Sequence, residues 1–337
     1  MSRRTTLLLG AGAVGAGLGA VAVSRARSRA EDTSMPEWAE HIEPDTEGHR
    51  GGSGTPLLLL HGISVTWRSW RPVLPKLEAH HDVIAPTLLG HSGAPPLGEE
   101  VTPSLDALVD GVEAELDRLG LDTVHVAGNS LGGWVAIELA RRGRARSLTL
   151  FSPAGAFQSN LRIVSLTTGI RVGVELMDAL GPRMERLALT PRGRKLLASA
   201  QFAHPERVDP AELIADIRAI RHSPVVRPLL SVIAREPMTP LTRPGCPVRV
   251  VWPHQDKMLP FAHYGEPVLE RLPTAELVRL DDVGHVPMSD DPEAVSRLIL
   301  EVTRSVDGSS VNGSSVDGGS VGGSSVGADG GQAGGTR

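Results

Sequence analysis

The chain has 337 residues, 40% of them apolar and 22% charged, with a formal net charge of -5. That length suits one large α/β domain with an insertion, or two ordinary domains, and the weak negative charge lacks the basic footprint of a nucleic-acid binder, so no nucleic-acid partner is expected. A single cysteine, Cys246, excludes an internal disulfide framework and argues against a thiolate metal cluster.

Residues 1–30 read as a signal-like or membrane-anchor segment. Arg3 and Arg4 precede an uncharged run over 5–24, rich in Leu, Ala, Val and Gly and long enough to span a bilayer as a helix. Ala20-Val21-Ala22 offers a small-residue cleavage site, and Arg3-Arg4 ahead of Leu7 resembles the start of a twin-arginine export signal. Arg25, Arg27 and Arg29 place charge on the far side as well, so an export signal and an uncleaved anchor both stay open. The first implies an exported protein and the second a membrane-anchored one, associated with the membrane through residues 5–24. The same run holds Gly10-Ala11-Gly12-Ala13-Val14-Gly15, a match to the glycine pattern that lets backbone amides approach a pyrophosphate. That motif needs a buried second strand, and the polar stretch Ser24-Arg25-Ala26-Arg27-Ser28-Arg29 cannot form one.

From 31 onward the pattern alternates short apolar runs with longer amphipathic ones. Strands are expected over 57–60, 83–85, 124–127, 148–151, 248–252 and 277–280, and helices over 105–119, 131–141 and 292–303. Such alternation predicts an α/β fold with a mostly parallel central sheet flanked by helices. Ligands and chemistry then collect at the carboxyl ends of the strands. Residues 156–243 break the alternation with helix-like pieces over 161–180, 183–189, 194–202, 211–221 and 228–234, punctuated by prolines. The insertion leaves and re-enters at the chemically active edge, so it reads as a helical cap between a first core part (31–155) and a second (244–304). Residues 305–337 repeat a five-residue Ser/Val/Gly pattern, too polar to offset the entropy of ordering, and read as a disordered tail.

Within the core, Gly128-Asn129-Ser130-Leu131-Gly132 joins a strand to a helix. This is G-x-S-x-G in the context that presents a serine hydroxyl clear of a sheet. The turn strains the serine, and Gly128 and Gly132 keep the flanks small. An incidental Ser in a glycine-rich turn is the plain alternative. The strand over 57–60 ends in His61-Gly62-Ile63, whose backbone can supply an amide to an oxyanion. The hole is expected from the Ile63 and Leu131 amides, with His61 and Gly62 supporting the loop. His285 follows the 277–280 strand and is the candidate base; Asp256 follows the 248–252 strand and is the candidate acid that orients it. Asp281 and Asp282 are rivals placed too near His285 to reach behind it. His80, His81, His204 and His222 read as surface groups.

The elbow at 128–133, His61-Gly62 with Trp70 downstream, the stretch from Trp252 to Pro260, and Gly284-His285-Val286-Pro287 together resemble the α/β-hydrolase fold superfamily, over roughly 55–303. The order nucleophile, acid, base also matches. The resemblance implies a serine hydrolase that forms an acyl-enzyme on a small carboxylic ester, with no metal or organic cofactor. Epoxide hydrolases and haloalkane dehalogenases of this fold use Asp as nucleophile, whereas this elbow carries Ser130. Carbon–carbon bond hydrolases share the Gly-Asn-Ser-x-Gly-Gly elbow but usually carry an aromatic residue after the base, where this chain has Val286. Cofactor-free haloperoxidase or perhydrolase chemistry and a non-catalytic ligand-binding role are the remaining alternatives.

Overall fold

The computed structural model describes residues 35–42, 46–98 and 100–313. The signal-like segment with its glycine pattern, and the chain beyond 313, lie outside the described residues. No helix among the described residues is long and apolar enough to cross a membrane.

The strands are β1 (Gly48–Gly52), β2 (Thr55–Leu60), β3 (His81–Pro86), β4 (Val124–Asn129), β5 (Ala145–Phe151), β6 (Val248–Pro253) and β7 (Glu276–Leu280). They form one sheet in the order β1-β3-β2-β4-β5-β6-β7. β1 runs antiparallel to β3 and the other neighbours pair in parallel. The helices in chain order are α1 (Glu37–Glu40), α2 (Leu74–Glu78), α3 (Leu105–Arg118), α4 (Leu131–Arg141), α5 (Asn160–Ala188), α6 (Pro191–Ala198), α7 (Pro210–Arg221), α8 (Val226–Ile233), α9 (Phe261–Arg271), α10 (Pro287–Asp290) and α11 (Pro292–Gly313).

The unbroken apolar run Leu57–Leu58–Leu59–Leu60 is fully buried, as a parallel strand covered on both faces requires. Successive side chains point to opposite faces. Leu58 and Leu60 join Ile84, Val126, Leu148, Leu150 and Val250 beneath α3 and α4. Leu57 and Leu59 join Val83, Ala127, Phe151 and Val251 beneath α2 and α11.

Besides the short helices α1, α2 and α10, which the sequence reading did not include, four elements depart from it. β1 reads Gly-His-Arg-Gly-Gly, with no apolar alternation to find; Arg50 grips Asp82 of β3 through two hydrogen bonds of 3.0 and 2.7 Å. α9 was hidden by Gly265 and Pro267 within it. The pieces 161–180 and 183–189 are one helix, α5, running through Pro182. A proline inside a helix forfeits one hydrogen bond, yet burial of Val174, Gly181, Met184 and Ala188 on both sides of it keeps the helix continuous.

The fourth departure is at the carboxyl end. α11 continues through Gly313, so the tail does not begin at Ser305. Asp307 explains the extension: its carboxylate accepts from Thr55 Oγ1 at 2.9 Å, Arg146 Nη2 at 3.0 Å and His125 Nε2 at 3.1 Å. Three strands therefore anchor the last helix turns from their amino-terminal ends, opposite the carboxyl ends that lead to Ser130, Asp256 and His285. His81 belongs to the same network and is not a surface group. It is 3% exposed, its Nδ1 lies 3.0 Å from the Thr55 carbonyl and its Nε2 2.9 Å from Thr303 Oγ1.

Candidate active site

β4 delivers the chain directly into Ser130, the residue before α4. Ser130 has φ 54° and ψ -115°, a region that a side-chain-bearing residue occupies only when its surroundings impose it. They do so here by hydrogen bonds. The Ser130 amide donates to the Phe151 carbonyl at 3.0 Å, and the Ser130 carbonyl accepts from Gly133, Trp134 and Ala154 at 3.0, 3.2 and 2.9 Å. Close approach explains the flanking glycines: a Cβ on Gly128 would lie 2.4 Å from the Gly132 carbonyl oxygen, and one on Gly132 only 2.2 Å from that of Leu60. The amide of Leu131 opens α4, where a helix has no internal acceptor and its dipole favours negative charge.

The loop after β2 runs beside the serine. A Cβ on Gly62 would sit 3.4 Å from Ser130 Cβ, and Ile63 and Leu131 line the same cavity as Ser130 and His285. His61 is fully buried and both its ring nitrogens are occupied. Nδ1 lies 2.7 Å from the Gly62 carbonyl oxygen, to which it donates, and Nε2 accepts the Leu88 amide at 2.9 Å. It shapes the loop and has no nitrogen left to serve as a base.

His285 and Asp256 meet across the carboxyl ends of β6 and β7. His285 Nδ1 lies 2.8 Å from Asp256 Oδ2, and Asp256 Oδ1 accepts the Leu259 amide at 2.7 Å. Both residues are 5% exposed. The rival carboxylates turn elsewhere: Asp281 lies 2.6 Å from His254 and Asp282 2.9 Å from His204. Ser130 and His285 are brought onto one cavity wall, 155 positions apart in sequence.

Two positioning groups were not found from sequence. Asn129 Nδ2 donates to the carbonyls of His285 and Phe151 at 3.0 and 3.1 Å, tying the elbow to the histidine loop. Its place beside Ser130 in the motif was the available signal. Asp290 accepts the amides of Gly284, Ala203 and His204 at 2.8, 2.9 and 3.1 Å, and the Val286 amide donates to the Gln201 carbonyl at 3.0 Å. These bonds fasten the histidine loop to the helical insertion, and no local pattern announces them.

Burial pushes His61 down to about 3 and His91, which packs edge-on against it at 5.0 Å, down to about 4. Both stay neutral in the fold and acquire protons only on unfolding as pH drops below about 6.5. The unfolded state then binds more protons, so stability is complete above that value and falls as pH decreases towards 4. Each of the two histidines is expected to remove about 2 kcal/mol of stability between pH 7.5 and 5. Urea midpoints at those two pH values check this; equal midpoints would contradict neutral burial. Cys246, whose thiol burial raises to about 11, remains protonated and takes no part.

A family model described as the alpha/beta hydrolase family matches residues 57–298. An epoxide hydrolase of Mycobacterium tuberculosis, EphH, is 37% identical over 199 residues, which cover 57% of this chain and 91% of the relative. A pimeloyl-[acyl-carrier protein] methyl ester esterase of Aromatoleum aromaticum is 30% identical over 266 residues, covering 74% of this chain and 98% of that one. Among solved structures, a thermophilic esterase from Thermogutta terrifontis aligns with a TM-score of 0.60 at 24% identity, over 77% of this chain and 93% of its own.

Proposed function

The chain belongs to the alpha/beta hydrolase family and is a hydrolase; from that premise we propose that it is a serine hydrolase that cleaves carboxylic esters through an acyl-enzyme. One observation carries the reading: a strained serine at a strand-to-helix elbow shares a cavity with a histidine whose far nitrogen is held by a buried carboxylate.

In this mechanism Ser130 Oγ attacks the ester carbonyl carbon while His285 Nε2 takes the hydroxyl proton. The Nδ1–H of His285 donates to Asp256, which stabilises the imidazolium that forms. The amides of Ile63 and Leu131 hold the oxyanion. The tetrahedral intermediate collapses, its C–O bond to the alcohol breaks, and His285 protonates the departing oxygen. Water, deprotonated by His285, then attacks the acyl carbon; the bond to Ser130 Oγ breaks, His285 returns the proton to that oxygen, and the acid leaves. The helical insertion from α5 to α8 acts as the cap that excludes bulk water.

Epoxide opening fits Ser130 poorly, although a relative carries that name. A carboxylate nucleophile that opens an epoxide leaves an ester, whose carbonyl carbon water can attack. A serine would leave an ether, which has no such carbon and would trap the enzyme. Carbon–carbon cleavage and perhydrolysis remain open to the same triad and would appear as activity on the corresponding substrates.

A fluorophosphonate probe tests the reading directly, because it phosphonylates only activated serines. The expected result is labelling of the wild type, none in Ser130→Ala and strongly reduced labelling in His285→Ala. A folded wild type that resists labelling while binding acyl ligands would instead identify a non-catalytic binding member of the fold.

A further inference from the structure

The cavity at Ser130 is longer than a small ester needs. Along α5 it is lined by Ile163, Leu166, Ile170, Gly173, Val174 and Met177, positions that recur on one face of the helix. At 1.5 Å per residue, that stripe runs for about 20 Å. Across from it stand Ile220 of α7 and Leu230 and Ile233 of α8. The cavity volume is about 240 Å³, and its long aliphatic wall matches an extended hydrocarbon chain.

The chemistry of the wall agrees with its shape. Among the described residues that line it there is no Asp, Glu, Lys or Arg, and Tyr264 is the one aromatic ring besides His285. Apart from Ser130, the hydroxyls present each already donate a hydrogen bond: Ser64 to the Ile63 carbonyl at 2.7 Å, Thr167 to that of Ile163 at 2.9 Å, and Tyr264 to that of Arg162 at 3.2 Å. A charged substituent would meet no opposite charge along this wall, whereas methylene groups lose nothing there.

The helix also gives up stability to keep the channel open. Glycine weakens a helix interior relative to alanine, yet α5 carries Gly169 and Gly173 on the cavity wall. A Cβ added at Gly173 would meet no heavy atom within 4 Å. The space there is unfilled, and packing does not demand the glycine.

Resting on the acyl-transfer reading of Ser130, we infer that the substrates are esters of long, unbranched aliphatic chains, with the chain lying along α5 and Gly173 setting the length accepted. Each methylene buried in the channel raises kcat/KM about four-fold until the channel is full.

The test compares p-nitrophenyl esters from acetyl to dodecanoyl on the full chain, for wild type, Gly173→Ala and Gly173→Leu. The quantity read is the ratio of kcat/KM on the decanoyl ester to that on the acetyl ester. It should exceed about 100 in the wild type, fall at least ten-fold in Gly173→Leu and fall to an intermediate value in Gly173→Ala. Val172→Leu, on the exposed side of the same helix turn, should leave the ratio unaltered. A wild type that prefers acetyl, or a Gly173→Leu ratio equal to wild type, overturns the inference. A binding arm separates it from the catalytic proposal. Ser130→Ala should bind a fluorescent long-chain fatty acid, and Ser130→Ala with Gly173→Leu should bind it at least ten-fold more weakly. Loss of probe labelling with binding intact removes the catalytic role and keeps the channel; labelling without fatty-acid binding does the reverse.

Discussion

Ser130→Ala is expected to lower kcat for ester hydrolysis by about five to six powers of ten. In the proposed mechanism its hydroxyl oxygen becomes covalently bonded to the acyl group, and no neighbouring group replaces it. His61, the other imidazole near the elbow, has both nitrogens committed to the Gly62 carbonyl and the Leu88 amide. Alanine retains Cβ, so the approach of Gly62 to that atom and the four backbone hydrogen bonds of residue 130 persist. The variant should therefore fold as wild type does, with an unchanged circular dichroism spectrum and urea midpoint. What rate survives comes from the amides of Ile63 and Leu131 and from substrate binding alone. A folded Ser130→Ala protein that kept more than about one part in a thousand of wild-type kcat would remove this serine from the mechanism.

Asp256→Asn should cost about four powers of ten in kcat, with KM nearly constant. Asparagine is nearly isosteric and its oxygen can still accept the Leu259 amide, now satisfied by Oδ1 at 2.7 Å. The other end of the side chain then presents an NH₂ to His285 Nδ1, where a carboxylate oxygen accepts at 2.8 Å. Two donors cannot share that contact, so the imidazole moves its proton to Nε2. The nitrogen that must accept the serine proton is then already protonated, and the imidazolium has also lost its counter-charge. His285→Ala removes the base altogether, and combining it with Asp256→Asn should cost little more than His285→Ala alone, because the two residues act as a unit. Fully additive losses in the double variant would show that Asp256 acts apart from His285. Steady-state kinetics on a medium-chain ester for the three variants decides it.

Much of the fold could be read from the chain because its strands are short, apolar and buried on both faces, which leaves a strong local signal at Leu57–Leu58–Leu59–Leu60 and at 148–151 and 248–252. Apart from the one-turn helices α1, α2 and α10, too short to carry a period, the elements missed are those whose sequence conflicts with their state. β1 has glycines and charge where a strand ordinarily alternates; α9 carries a glycine and a proline; α5 passes through Pro182. In each, contacts with distant residues outweigh local preference, by an edge ion pair for β1 and by burial for the helices. The end of α11 misled for the same reason, since a Ser/Gly-rich composition gives no hint that Asp307 will find Thr55, His125 and Arg146.

The alternation of strand and helix, the elbow at Ser130 and the strand ends that carry Asp256 and His285 are legible in the chain, because these depend on residue type at short spacing. Which carboxylate reaches His285 depends on the packed fold. Asp281 and Asp282 are nearer in sequence, but the turn after β7 directs them to His254 and His204, while the parallel pairing of β6 with β7 brings Asp256 alongside. The packed fold also decided that Asn129 and Asp290 hold the histidine loop, and that α5 faces Ser130 with an apolar stripe four turns long. Those relations join residues far apart in the chain, and only the packing of helices over the open sheet sets them.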